Sequence, residues 1–94
     1  MNDNTFKIIR ELELRLPSFI FCKGIRDREI NCFKNDFRVK FYWDDSNIGI
    51  NSQFLEFMSY LFNFDDYTNE VIISDLYKLV INSYNNYLSK KHKE

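Results

Sequence analysis

The side chains able to do acid–base or nucleophilic chemistry are few and scattered. His92 is the single histidine and sits among lysines in a stretch expected to fray, so it cannot anchor a Ser-His or Cys-His pair. Cys22 and Cys32 are the two cysteines, and with one histidine they fall short of the four ligands of a zinc site. Both are expected as reduced, at least partly buried thiols, with a cross-strand disulfide as the alternative. Asp44-Asp45 and Asp65-Asp66 are carboxylate pairs, but neighbours along a chain point in different directions and neither pair has calcium-loop spacing. A metal-dependent nuclease would want a carboxylate two residues before a strand lysine, and before Lys40 that position holds Arg38. Gly24 and Gly49 lie far apart and make no phosphate loop. The expectation is a non-enzyme with no metal and no cofactor.

The charges are informative in their layout. Residues 23–43 carry a net +3, residues 44–75 hold seven carboxylates and no Lys or Arg, and residues 76–94 return to net +3, within a chain whose total is −1. A surface of one sign steers a partner of the other. The acidic stretch supplies the candidate protein-binding residues: Asp44, Asp45, Glu56, Asp65, Asp66, Glu70 and, as an aromatic anchor, Tyr67. In the basic stretch, Arg38 and Lys40 alternate with Tyr42 beside them, a combination that could hold single-stranded nucleic acid. The low overall basicity argues against that alternative.

The elements that must position these residues follow from periodicity. Phe6, Ile9, Leu12 and Leu16, with Ile8 beside them, predict an N-terminal helix capped by Asp3 or Asn4 and ended by Pro17. From Ser18 the period falls to two. The run Phe19–Cys22, the pair Ile30 and Cys32, a turn at Asn35-Asp36, and Phe37, Val39, Phe41 and Trp43 predict a three-stranded antiparallel meander. Residues 44–50 read as a loop. Phe54, Phe57, Met58, Leu61 and Phe62 then fall at helical spacing after Asn51 or Ser52. A last helix carries Leu76, Leu79, Val80, Ser83, Tyr84, Tyr87 and Leu88. It starts at Thr68 if residues 69–73 are helical and at Ser74 if they are extended. The predicted fold is one α+β domain over residues 1–94, in the order αβββαα.

With 94 residues, 18% aromatic and two glycines, the chain should build one modest core. It has no long apolar run and no leader, so a cytoplasmic protein without a membrane span is expected. It lacks alanine and is rich in Asn, Ile, Phe, Lys and Tyr, residues with A/T-rich codons. In size, composition and charge it resembles bacterial toxin-immunity proteins, a category of varied folds that implies no residue assignments. That resemblance implies an immunity protein or antitoxin whose partner is a basic, nuclease-type toxin domain. The alternatives are a nucleic-acid-binding regulator and a subunit that oligomerises through the Leu76–Leu88 stripe.

Overall fold

A computed structural model describes residues 3–93. Helix α1 (Asp3–Arg15) is followed by strands β1 (Ile20–Lys23), β2 (Glu29–Lys34), β3 (Phe37–Trp43), β4 (Asn47–Asn51) and β5 (Ser59–Asn63), and then by helix α2 (Asn69–Lys93). The strands form one antiparallel sheet in sequence order. The α+β class stands, but the arrangement is not a three-stranded meander with two C-terminal helices. The described residues form five strands and two helices.

Strand β3 sets the layers. Its Phe37, Val39, Phe41 and Trp43 are buried and alternate with more exposed Arg38, Lys40 and Tyr42, so one face of the sheet is apolar and the other polar. Register carries that division outward: Cys32 pairs with Val39, Ile30 and Ile50 with Phe41, and Ile48 with Trp43. Both helices supply side chains that cover the apolar face, Ile8, Ile9 and Leu12 from α1, joined by Leu16 just beyond it, and Ile72, Ile73, Leu76 and Val80 from α2. Asn69 Nδ2 donates to Asn4 Oδ1 at 3.2 Å, and Phe19 meets Tyr84 edge-on at 5.5 Å, so the helices run in the same direction. At their lower end Phe37 is ringed by Phe19, Phe54, Tyr84 and Tyr87, with centroids 5.2 to 6.2 Å away.

Local chemistry fixes the boundaries. Thr68 caps α2, its Oγ1 accepting from Val71 N at 3.2 Å, which resolves residues 69–73 as helix rather than strand. The helix continues through His92, where fraying was expected, and His92 is exposed. The Asn35-Asp36 turn forms as predicted, with Asn35 at φ 56°, a conformation asparagine tolerates. The buried stripe of α1 includes Thr5 and leaves Phe6 53% exposed, although Phe6 was expected to face the core. Cys32 is buried, and burial pushes its thiol up to about 12; Cys22 lies on the exposed face of edge strand β1, against expectation. Both are free thiols.

The largest departure concerns residues 44–63. The segment read as a loop contains β4, and the segment read as a helix is an open loop followed by β5. Phe57, Met58 and Leu61, the supposed inner stripe, are 63%, 63% and 58% exposed. Pairing explains the outcome. Strand β3 has apolar side chains to its full length and needs a ladder on both edges, and β4 provides one from Lys40↔Asn51 to Trp43↔Ile48. Ser52 closes the loop: its N donates to Met58 O at 2.9 Å, and its Oγ bonds Ser83 Oγ of α2, buried, at 2.6 Å. Asn86 Nδ2 adds a bond to Phe54 O at 2.9 Å.

Two outcomes check this arrangement. Ser83→Ala should lower stability by about 1–2 kcal/mol, because it takes from the buried Ser52 hydroxyl its side-chain partner and leaves it only the Phe54 N–H. Phe57→Ser and Met58→Ser should each stay within about 0.5 kcal/mol, where a core stripe would lose several; urea unfolding of the three variants decides it. Alkylation followed by mass spectrometry should mark Cys22 alone in the native protein and both cysteines in denaturant.

Candidate functional site

Connections alternate between the two ends of the sheet. The upper end holds residues 24–28, 44–46 and 64–68 and the start of both helices; the lower end holds the Asn35-Asp36 turn, the 52–58 loop and the end of α2. This sorts the predicted acidic residues. Asp44 and Asp45 lie in the β3–β4 turn, Asp65, Asp66 and Tyr67 in the β5–α2 connection, and Glu70 in the first turn of α2, all at the upper end. Glu56 sits in the lower loop and is not brought to the others.

The two upper turns are stitched together. Phe64 N donates to Ser46 O at 2.9 Å, and Asn63 Nδ2 to Asn47 Oδ1 at 3.2 Å. Asn63 also organises the second turn, its Oδ1 accepting from Asp65 N at 2.8 Å. Within the first, Asp44 Oδ1 accepts from Ser46 N and Asn47 N, each at 2.8 Å. The Ser46 bond leads in holding the Asp44 carboxyl below its usual range, helped by Asn47 and by the positive charge of Arg28. Asp45 pairs with Arg28 at 3.2 Å, with both groups largely in solvent, so the pair adds little. Tyr67 is 45% exposed and packs edge-on against Phe62 at 5.7 Å. Among the described residues of this end, no ion pair engages the carboxylates of Asp65, Asp66 and Glu70, while Asp44 mainly builds the turn.

The alternative site is also assembled. Arg38, Lys40 and Tyr42 lie on the sheet face opposite the helices. Register sets Asn31, Lys40, Asn51 and Ser59 in one row across four strands, with Tyr42 beside Gly49 in the next. The Tyr42 ring lies across β4, where a side chain on Gly49 would overlap it, and its hydroxyl bonds Ser59 Oγ on β5. Lys40 Nζ is 3.6 Å from Glu29 Oε1. Two open concavities of about 530 and 280 Å³ meet at Lys40 and Asn51; Arg38 lines the first, and Arg26, Arg28 and Tyr42 the second. Sequence reasoning missed Asn51, which it read as a helix cap, and Gly49, which it left in a loop. A glycine between Ile48 and Ile50 was the available signal, since glycine inside an alternating run marks close approach.

The third candidate, the stripe of α2, has Leu76, Val80 and Ser83 buried inside the fold. Among the described residues no group of three or more His, Cys, Asp or Glu side chains is placed to hold a metal ion, and no helix is long and apolar enough to cross a membrane. No family model, curated protein or solved structure matches the chain.

The Asp44 turn makes a pH prediction. Its folded carboxyl ionises more readily than an unfolded one, near pH 3.9, so its contribution is full above that pH and is lost as pH falls through the lower folded value. The stability gap between wild type and Asp44→Ala, followed by urea unfolding, should therefore be present at neutral pH and close in acid.

Proposed function

We propose that the chain is a non-enzymatic binding protein that neutralises a basic protein partner, a toxin domain of the nuclease type, by docking its acidic upper end. The observation that supports this reading most is the gathering of Asp44, Asp45, Asp65, Asp66, Tyr67 and Glu70 from two separate stretches onto one end, with the two turns tied by the Ser46–Phe64 and Asn47–Asn63 bonds. A nuclease is cationic where it grips phosphate. An acidic end held in fixed geometry would raise encounter rates with such a surface and lose little freedom on docking. In this reading Asp65, Asp66 and Glu70 meet cations of the partner, Tyr67 inserts as the aromatic anchor, and Asp44 keeps the turn in shape. Glu56 takes no part. The protein acts by one-to-one occupation, in keeping with an immunity protein or antitoxin.

Affinity capture from native lysate, with bound material quantified by mass spectrometry and absorbance, identifies the partner. A basic protein held near one-to-one is expected, and Asp65→Lys/Asp66→Lys should slow its association about tenfold or more and flatten the salt dependence. Tyr67→Ala should mainly speed dissociation. Association kinetics unchanged in the double charge reversal would overturn the assignment of this surface.

A further inference from the structure

The face of the sheet turned away from both helices is a second surface with its own chemistry. Its register rows are Ile20, Phe33 and Arg38 at the lower end, Cys22, Asn31, Lys40, Asn51 and Ser59 across the middle, and Glu29, Tyr42, Gly49 and Leu61 above. No described helix packs on it; the helical side chains that enter the core lie on the opposite face. Three properties coincide there. Tyr42 lies across the sheet over Gly49, tethered through Ser59, which makes a fixed aromatic platform. Arg38 and Lys40 rise from the same strand, and Arg26 and Arg28 close the upper side of the concavity that Tyr42 and Lys40 line. The amides of Asn31 and Asn51 flank Lys40 on the neighbouring strands and can both donate and accept.

We infer that this face binds single-stranded nucleic acid; it adjoins the acidic end through the Arg28–Asp45 pair. Charge complementarity chooses the occupant: Arg26, Arg28, Arg38 and Lys40 border the two joined concavities and outnumber the lining carboxylates Glu29 and Asp36, although Arg28 pairs with Asp45 and Lys40 with Glu29, and the flat ring among them matches a base more closely than it matches an acidic side chain. The backbone phosphates lie along Arg38, Lys40 and Arg26, one base stacks on Tyr42, and its neighbour lies over Lys40 within reach of Asn31 and Asn51. Phe33, four strand positions from the level of Tyr42 and thus about 14 Å away, offers a second apolar contact. A rigid duplex, whose bases are paired and stacked, cannot lay them on such a face. The overall charge of −1 does not oppose this, because none of the seven carboxylates of residues 44–75 lines either concavity and the cations of β3 face the open side of the sheet.

The test is fluorescence anisotropy with labelled oligothymidylate and oligouridylate of about 15 nucleotides, titrated with the full chain over a range of salt. Binding that weakens as salt rises is expected. Tyr42→Ala should weaken it roughly 5- to 150-fold, while Tyr42→Phe, which keeps the ring, should stay within about threefold of wild type. Arg38→Gln/Lys40→Gln should flatten the slope of log affinity against log salt by about 1.4. Gly49→Ala, which lifts the Tyr42 ring without altering a charge, should act like Tyr42→Ala. Circular dichroism and melting of each variant separate loss of the site from loss of the fold. Failure of natively folded wild type to bind either oligomer overturns the proposal, as do equal affinity for a duplex of the same length and affinity unchanged by both the Tyr42→Ala and the arginine–lysine changes. Displacement of the oligomer by polyglutamate of equal charge, with Tyr42→Ala binding as wild type, would assign the face to an acidic protein instead.

Discussion

Strand β3 sits third of five in the sheet, and its side chains keep a strict period of two over seven residues: Phe37, Val39, Phe41 and Trp43 to one side, Arg38, Lys40 and Tyr42 to the other. A slip of one residue against β2 or β4 would carry a lysine and an arginine into the core and four large apolar groups into water, so the register is strongly specified. From it follow the placement of both helices on one side, the ring of aromatics around Phe37, and the exposure of a cationic face on the other. Because β4 pairs with the upper half of β3, the β3–β4 turn lands beside the β5–α2 connection. The acidic end is thus a by-product of the same pairing.

Near-neutral total charge hides two fields that can act separately. The molecule extends 41 Å along its long axis, several times the distance of about 8 Å over which physiological salt screens exposed charges. The carboxylates of Asp65, Asp66 and Glu70 at one end and Lys90 and Lys91 near the end of α2 therefore have little influence on each other. The lower lysines have local roles: Lys34 Nζ lies 4.9 Å from the Tyr84 ring centre, Lys90 Nζ 5.5 Å from that of Phe54, and Lys91 Nζ 5.7 Å from that of Tyr87. They cover the aromatic cluster with their stems and keep their charges in water.

The parts of the fold legible in the sequence are those whose signal is local. Pro17 ends α1, Asn35-Asp36 turns the first hairpin, β3 alternates, and Thr68 caps α2. Strands β4 and β5 were not legible, because their determinants are remote. Asn47, Gly49 and Asn51 are turn formers by type, and only the unpaired edge of β3 makes a strand of them. Phe54, Phe57, Met58 and Leu61 fall at helical spacing by coincidence, while the residues that point inward are Phe54, Leu55, Tyr60 and Phe62. The candidate residues shared this limit: their chemistry could be read off one by one, but the union of Asp44-Asp45 with Asp65-Asp66 depends on the β4–β5 hairpin, and so does the separation of Glu56 from them.

The order of elements along the chain also shapes how the molecule is made. All four strand pairings join sequence neighbours, so the meander can assemble as it leaves the ribosome. Its apolar face cannot be closed then, because Ile72, Ile73, Leu76 and Val80 belong to α2, which is synthesised after the whole sheet. At about 5–20 residues per second, the 25 residues of α2 leave Phe37, Phe41, Ile48 and Ile50 with only α1 for cover for one to several seconds. During that interval the nascent chain presents an uncharged edge at β5, Ser59–Asn63, beside a half-dressed apolar sheet, the combination that holdase chaperones protect from neighbouring chains.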